Sequence, residues 1–513
     1  MFNAELLHNL FSMQAIIALL VGVIGGMFIG ALPGLGATMG IALLIPITFG
    51  MEPAAGLIML TGLYTSAIYG GSITAILIHT PGTPASAATA MDGYELTKQG
   101  NGLHAIGVST VASMLGGTFS AVCLLFIAPP LAQLSLKFNA PEYFLIAIFG
   151  LTIIGSLAGD SMLKGIIAGA FGLLVGFIGF DISYGVARFT YKITALESGI
   201  QLVPALIGLF SMSQVMIQAE ILGKEKKDEK QVIAPLEGRL IPTSREVIQM
   251  IPNIIRSAII GVFVGILPGA GGDIGGWVSY NEAKRFSKNK SRFGKGAIEG
   301  VWASETANNA VTGGSFIPLL TLGIPGSSAS AVLLGGLMIQ GLTPGHTLFT
   351  EHANITYAII FGFLFANILM GVIGLLIAKQ VVKVASAPTG ILAPIIVVLS
   401  IVGSYAINLS MFDVYVMAIF GFMGYFMRKT GFPTAPVVLA IILGPMAEMG
   451  FKRAVIMSKG ASILEYYFSR PLSIVLIMLI VLSLFAPIFM NHLQKKMAAP
   501  AIDATGADLN SDD

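Results

Sequence analysis

The chain has 513 residues, of which 55% are hydrophobic and only 11% are charged, and its formal net charge is +2. Because a soluble surface of this size needs roughly twice that charged fraction, the composition excludes a soluble globular protein. It predicts an all-α polytopic membrane protein. The sequence contains no basic arm with interleaved aromatic residues, which argues against a nucleic-acid partner.

Apolar runs of spanning length, or close to it, recur along the whole chain. A helix needs roughly 20 apolar residues to cross a bilayer, and we count about 11–13 hydrophobic segments by this criterion, several of them broken by Gly or Pro. They lie near 14–32, 54–78, 104–128, 141–159, 163–180, 200–219, 250–270, 313–340, 354–378, 391–408, 412–427, 434–447 and 471–490.

Polar breaks divide the chain into two membrane halves. The longest break covers 223–246 and separates a first half, 1–222, from a second half, 247–495, while 496–513 reads as a disordered tail. The 223–246 loop and the next break are rich in Lys and Arg, whereas the first dozen residues contain neither. The positive-inside rule therefore predicts a cytoplasmic loop and an external N-terminus.

An internal repeat links the two halves. Residues 26–40 (GMFIGALPGLGATMG) and 261–275 (GVFVGILPGAGGDIG) are identical at eight of fifteen positions. A second block, 70–87, parallels 313–331 with one extra residue in the later copy. Because the first copy follows an external terminus and the second a cytoplasmic loop, the halves are predicted to be inverted repeats, as in secondary transporters.

The second copy of the first block leaves two topologies open. Both flanks of 250–283 are basic, so this segment either enters and returns on one side, with LPGAGG at the tip of a re-entrant hairpin, or crosses fully. The Gly residues four apart in both copies predict close helix packing.

Pro-Gly pairs interrupt the repeated segments and predict a binding site. Pro33-Gly34 and Pro268-Gly269 would break helices within the bilayer, where freed backbone groups need a new partner. A half-helix that begins after Pro81-Gly82 or Pro325-Gly326 would direct free N–H groups at an anion such as a carboxylate. The alternative is that these breaks are kinks and the nearby hydroxyls only satisfy backbone groups.

Polar side chains flank these breaks. Glu305, Asn308 and Asn309 precede the second hydroxyl block, and intramembrane ionisable groups are costly and usually functional. Asp273 aligns with Thr38 of the first copy, so the two copies differ in charge. Asp273 is predicted either to bind a coupling cation, Na⁺ or H⁺, or to cap the following helix.

Three long blocks resemble a known family. GALPGLGATMGIALLIPITFGM, YGGSITAILIHTPGTPASAATAMDGYEL and ETANNAVTGGSFIPLLTLGIPGSSASAVLLGGLMIQGLTPG are similar to signature blocks of the TctA family, the large membrane subunit of tripartite tricarboxylate transporters. The resemblance extends to about residue 490. It implies a bacterial inner-membrane permease that works with a small four-span membrane subunit and a periplasmic solute-binding protein. Uptake of carboxylates such as citrate would be driven by an ion gradient.

The motifs and the resemblance together give the candidate site residues, and no cofactor is expected apart from the coupling ion. Substrate binding is assigned to Pro33, Gly34, Gly36, Thr38, Ser72, Pro81, Gly82, Thr83, Glu305, Asn308, Asn309, Ser315, Pro325, Gly326, Ser327 and Ser328. Cation coupling is assigned to Pro268, Gly269, Gly271 and Asp273, with Asp273 as the candidate Na⁺ ligand.

Two other functions are possible for such a sequence. A passive channel or a structural membrane subunit is the main alternative. An intramembrane enzyme would need a nucleophile–base pair or a metal cluster, and no such motif and no phosphate-binding P-loop is present in the sequence.

Overall fold

A computed structural model describes residues 3–32, 35–152, 161–181, 185–224, 239–267, 271–385, 389–460 and 462–482. Most of the predicted 223–246 loop, the whole of the 496–513 tail and the two pairs Pro33-Gly34 and Pro268-Gly269 lie outside these residues. The side chain of Asp273 is also outside the described part of the chain, although its backbone belongs to it.

The first half is built almost entirely of helices. In chain order they are α1 Ala4–Phe11, α2 Met13–Ala31, α3 Ala37–Thr48, α4 Pro53–Ile78, α5 Ala87–Lys98, α6 Gly102–Ser135, α7 Ala140–Thr152, α8 Met162–Gly176, α9 Leu202–Leu206 and α10 Ser213–Lys224. A short 3-10 turn, Pro84–Ser86, precedes α5. A two-stranded antiparallel hairpin, β1 Gly179–Asp181 and β2 Val186–Arg188, follows α8.

The second half has the same character. Its helices are α11 Ser244–Ile266, α12 Gly271–Phe286, α13 Ile298–Leu322, α14 Ser328–Ile339, α15 His346–Thr350, α16 Ala353–Ala385, α17 Thr389–Asn408, α18 Met411–Lys429, α19 Ala435–Met457, α20 Ile463–Phe468 and α21 Pro471–Leu482.

Length and apolarity confirm the predicted fold class. Within the described ranges, eight helices are long and apolar enough to cross a membrane, and six further apolar helices are shorter. Many large apolar side chains on these helices face outward, as a lipid-facing surface requires. The protein is therefore an all-α polytopic membrane protein.

Glycine faces hold the central helices together in both halves. A β-carbon at Gly26 of α2 would lie 2.6 Å from the carbonyl oxygen of Leu63 on α4. In the second half, a β-carbon at Gly261 of α11 would lie 2.5 Å from the carbonyl oxygen of Ala307 on α13. These contacts confirm the predicted close packing, since only glycine lets the backbones approach this far.

The break after each long helix folds back onto that helix in the same way. His79 ends α4 in a left-handed conformation, and Gly323 ends α13 likewise. The next residues, which we call the first tip (Pro81–Ser86) and the second tip (Pro325–Ser327), then turn inward. The amide of Gly82 donates to the carbonyl of Gly71 at 3.1 Å.

Equivalent contacts also fix the register of the second repeat block. A β-carbon at Gly82 would clash with the carbonyl oxygen of Gly30, and one at Gly326 would clash with that of Gly265. Gly82 lies against Gly71, whereas Gly326 lies against Ser315. Gly71 therefore corresponds to Ser315, and the two blocks align without a gap. The predicted extra residue in the later copy is wrong, because the glycine of each tip packs against a small residue at the equivalent position of the preceding helix.

Two helical hairpins flank the tips. In α11–α12, the guanidinium of Arg256 stacks 4.5 Å over the ring of Phe286, so the end of α12 lies beside the middle of α11. The partner hairpin α2–α3 includes Ala37–Thr48, a short helix that the apolar-run count missed. The apolar run expected at 313–340 is two helices, α13 and α14, separated by the second tip.

Candidate functional site

The beginnings of half-helices from both halves meet at the centre of the molecule. At the start of α12, a β-carbon at Gly272 would lie 3.0 Å from the Ala85 side chain in the first tip and 2.7 Å from the Asn308 amide oxygen. Alanine at this position would collide with both groups. Elements of the second half thus surround the tip that belongs to the first.

Asn308 is the most conspicuous polar group at this meeting point. Its side chain is fully buried on α13, yet neither Oδ1 nor Nδ2 makes a hydrogen bond within the described part of the chain. An unpaired buried amide carries the full cost of its desolvation, about 1–3 kcal/mol. Asn308 is therefore a candidate ligand-binding group.

Thr83 supplies a second group of the same kind. It is 3% exposed, and its Oγ1 has no hydrogen-bond partner among the described residues. A β-carbon at Gly36, the residue before α3, would lie 4.0 Å from the Thr83 methyl group. No side chain caps the start of α3 or of the 3-10 turn after Thr83.

The electrostatics of this centre favour an anion. Helix N-termini present free N–H groups and partial positive charge. The residue before α3 lies beside the Thr83 methyl group of the first tip, and the first turn of α12 lies beside Ala85 of the same tip and Asn308. This combination offers hydrogen-bond donors to a carboxylate without a buried Lys or Arg.

The second tip is closed by its own side chains. Ser327 caps α14, where its Oγ accepts from the amide of Ser330 at 3.2 Å and Ser330 Oγ accepts from the amide of Ser327 at 2.8 Å. The hydroxyl of Tyr64 on α4 lies 3.0 Å from Ser327 Oγ. A helix of the first half therefore holds the tip of the second.

The structure gathers one group of the predicted site residues at this centre and its adjoining second tip. These residues are Gly36, Thr38, Pro81, Gly82, Thr83, Gly271, Asn308, Pro325, Gly326, Ser327 and Ser328. Gly271 joins the start of α12 to the second tip, since its amide donates to the carbonyl of Gly326 at 3.3 Å. Asp273 is the third residue of α12, and Thr38 is the second residue of α3.

Other predicted site residues have different surroundings. Glu305 is fully buried, and its carboxylate accepts hydrogen bonds from four hydroxyls, including Ser72 at 2.6 Å. Asn309 points away from Asn308 and donates to Thr65 Oγ1 at 3.1 Å. Ser315 lies against Gly326 of the second tip, but its hydroxyl donates to the carbonyl of Thr312 in its own helix at 2.8 Å.

Several residues of these networks were not predicted. They are Tyr64 at the second tip, Thr89, Ser109 and Ser113 around Glu305, and Asp92 on α5. The four-residue spacing of Ser109 and Ser113 was a usable signal, because it places both hydroxyls on one helix face. Tyr64 and Asp92 gave no comparable signal, since their partners come from distant segments.

Asp92 anchors the first half to a loop of the second. It is fully buried, and its Oδ1 accepts from the amides of Gly294, Gly296 and Ala297 at 2.8–2.9 Å. Its Oδ2 accepts from the hydroxyl of Tyr280 at 2.8 Å. This anchor ties α5, which follows the first tip, to the start of α13.

A second polar region lies at the rim. A cavity of about 290 Å³ borders Arg188 and Lys452. Arg188 pairs with Glu448 at 2.7 Å, and Lys452 pairs with Asp181 at 2.7 Å. Because both cations already have carboxylate partners, this region is a weaker candidate for anion binding than the centre.

The fold and the centre together define a polytopic α-helical membrane protein with interrupted helices around buried polar groups. The model of the family described as "Tripartite tricarboxylate transporter TctA family" matches residues 16–439. The chain belongs to this family of transporter subunits, as its sequence blocks predicted.

Two curated relatives come from Agrobacterium vitis. One is an uncharacterised 52.8 kDa protein in the TAR-I ttuC' 3' region, 39% identical over 440 residues, which cover 86% of this chain and 87% of the relative. The other is an uncharacterised protein in the TAR-II ttuC' 3' region, 40% identical over 200 residues, covering 39% of this chain and 83% of the relative. No solved structure matches.

Proposed function

We propose that this protein is the permease subunit of a secondary transporter that takes up carboxylates across a bacterial inner membrane, driven by an ion gradient. The substrate is a tricarboxylate such as citrate, or a related di- or monocarboxylate, delivered by a periplasmic solute-binding protein. A small four-span membrane subunit completes the complex.

One observation carries this proposal: the buried, unpartnered amide of Asn308 meets the first turns of interrupted helices from both halves. In membrane transporters, the N-termini of interrupted helices point at anionic groups of the substrate and bind them away from water. The unpartnered hydroxyl of Thr83 adds a donor at the same place.

The burial of this centre favours a carrier over a passive channel. Asn308 is fully buried and Thr83 is 3% exposed, so a ligand reaches them only after the surrounding helices move apart. Because the centre is formed between the two halves, a movement of one half against the other would open it to each side in turn.

Inverted topology is part of the proposal. Gln340, after α14, donates to the carbonyl of Thr48 at the end of α3, at 2.8 Å, so these two half-helices end together. The α11–α12 hairpin instead ends in the basic 284–295 segment. We assign the open end of the α2–α3 hairpin to the external face and that of the α11–α12 hairpin to the cytoplasmic face, in accordance with the positive-inside rule.

Counterflow in proteoliposomes tests the proposal against its alternative, a passive channel or structural membrane subunit. The chain, its small membrane subunit and its binding protein are reconstituted with internal unlabelled citrate, and labelled citrate is added outside. A carrier accumulates label transiently above equilibrium, with succinate and acetate as competitors that report chain-length preference. Simple equilibration without overshoot would identify a channel, and absence of flux in every orientation would identify a structural subunit.

A further inference from the structure

Glu305 lies in a closed shell of hydroxyl groups. One carboxylate oxygen accepts from Ser72 at 2.6 Å and from Thr89, and the other accepts from Ser109 at 3.0 Å and Ser113 at 2.9 Å. Glu305 belongs to α13 of the second half, whereas all four hydroxyls come from α4, α5 and α6 of the first. The carboxyl group therefore joins the two halves.

A permanent negative charge at this position would be expensive. Glu305 is fully buried, and within the described ranges its only polar partners are hydroxyls. Described titratable groups on the helices packed around it have other partners: Tyr64 contacts Ser327, Tyr69 contacts Thr110, Asp92 contacts Tyr280 and the 294–297 loop, His104 contacts Glu246, and Arg256 contacts Phe286. A buried carboxylate without a counter-ion favours binding a positive charge.

Distances within the shell favour a proton over a metal cation. Oxygen ligands of a cation the size of Ca²⁺ lie at about 2.3–2.6 Å from it, and neighbouring ligands in an octahedron then stand roughly 3.3–3.7 Å apart. The Ser72, Ser109 and Ser113 hydroxyls lie 2.6–3.0 Å from the carboxylate oxygens, which are hydrogen-bond distances.

The shell can also satisfy both protonation states. When Glu305 is ionised, four hydroxyls donate to it. When it is protonated, its O–H can donate to Thr89, because Thr89 Oγ1 lies 2.8 Å from Ser304 Oγ and can turn its own proton there. Ser304 in turn donates to the carbonyl of Val301 at 3.4 Å. Rotation of the Thr89 hydroxyl is enough to switch between these networks, because Ser304 already donates to Val301.

We propose that Glu305 is a proton-binding site that couples carboxylate uptake to a proton gradient; the inference rests on the proposed function. In each cycle the side-chain carboxylate of Glu305 takes one proton from the outer aqueous phase and releases it to the cytoplasm. The proton adds to a carboxylate oxygen and leaves from it, and no bond of the substrate changes.

The position of Glu305 explains how proton and substrate are linked. Glu305 and Asn308 are three residues apart on α13 and therefore neighbours on one helix face. A neutral Glu305 removes a negative charge next to the site where the carboxylate binds, so protonation raises substrate affinity. By reciprocity, bound substrate raises proton affinity by the same factor.

Proton influx measured with an internal pH dye tests this directly. Citrate added outside proteoliposomes of the complete transporter should acidify the lumen, and Glu305→Gln should reduce the protons that enter per citrate at least tenfold. Undiminished proton entry in Glu305→Gln would overturn the proposal. Wild-type accumulation that follows an inward Na⁺ gradient at constant pH, without acidification, would also overturn it.

Two hydroxyl variants decide the question even where Glu305→Gln fails to fold. Ser113→Ala removes a donor to the ionised form, so the pH midpoint of uptake should rise by about one unit. Ser304→Ala interrupts the chain that accepts the proton, so the midpoint should fall. Ser120→Ala, which removes a buried hydroxyl on the same helix that bonds Gly117, should leave it unchanged.

Opposite shifts cannot arise from a general loss of stability. Equal midpoints in Ser113→Ala, Ser304→Ala and wild type would overturn the assignment of Glu305. Absence of wild-type counterflow would instead refute the proposed transport function. The pH midpoints and the counterflow, measured on one preparation, therefore distinguish failure of the Glu305 assignment from failure of the proposed transport function.

Discussion

Asn308 and Asn309 are adjacent on α13, yet only Asn309 is hydrogen-bonded. Asn309 donates to Thr65, whose hydroxyl in turn donates to Asn367 at 2.6 Å, so it ties α13 to α4 and α16. The amide of Asn308 has no partner in the described residues and meets the first tip and the start of α12. The same side chain serves structure at one position and is available to a ligand at the next.

This difference predicts opposite effects of the same substitution. Asn308→Leu removes no hydrogen bond and should leave stability unchanged or raise it by about 1 kcal/mol, while citrate affinity falls tenfold or more. Asn309→Leu should lower stability by about 1–3 kcal/mol, because it leaves the Thr65 network incomplete. Thermal unfolding and equilibrium dialysis with citrate measure both. Equal destabilisation by the two variants would contradict the assignment of Asn308.

The glycine face of α2 predicts a second pair of outcomes. A β-carbon at Gly30 would clash with the carbonyl oxygen of Ala67, whereas one at Gly25 would meet nothing within 4 Å. Gly30→Ala should therefore prevent close packing of α2 on α4 and reduce the yield of folded protein. Gly25→Ala should be tolerated, with a gain of about 0.5–1 kcal/mol in helix propensity. Monodisperse yield after size-exclusion chromatography checks this, and equal yields would refute the packing argument.

The Asp92 anchor predicts a local loss of order. Asp92→Ala leaves three backbone N–H groups and the Tyr280 hydroxyl without an acceptor, at an expected cost of about 3 kcal/mol or more. Because the neighbouring 284–295 segment is rich in Lys and Arg, trypsin should cleave it faster in this variant. Glu95→Gln, on the same helix but more exposed, is the matched control. Wild-type cleavage rates in Asp92→Ala would show that the loop does not depend on this carboxylate.

The inverted arrangement predicts the sidedness of labelling. In a Cys123→Ser background, single cysteines among residues 3–10 should react with an impermeant reagent from outside, and cysteines at 224–230 only from the cytoplasmic side. The physical basis is the contrast between the Lys- and Arg-free N-terminus and the basic loop. Labelling of both regions from one face would contradict inversion.

Sequence patterns predicted the breaks at the first and second tips because their signals are local. Pro-Gly pairs mark both tips, where α4 and α13 end in left-handed residues, and Gly spacing marks the α2–α4 and α11–α13 contacts. Helix α3 was missed because twelve residues with an internal proline fall short of a spanning segment. The start of α13 at Ile298 was missed because Glu305 and its polar neighbours interrupt the apolar run.

Assignment of individual polar side chains required the fold. From the sequence, Glu305, Asn308 and Asn309 form one polar group, but in the fold Glu305 is bonded to hydroxyls, Asn309 is bonded to Thr65, and Asn308 has no described partner. The hydroxyl shell of Glu305 draws on residues about 190–230 positions away in the chain, beyond the reach of any local pattern. Tyr64 likewise contacts Ser327, a residue from the other half of the chain.

The central claim, that a carboxylate binds where the half-helices meet, is tested most directly by a cryo-electron microscopy map of the full chain in lipid nanodiscs with saturating citrate. Ligand density is expected within hydrogen-bond distance of the Asn308 amide and the Thr83 hydroxyl, beside the first turn of α12. Citrate density at the rim cavity near Arg188 and Lys452, with Asn308 still unpartnered, would contradict it.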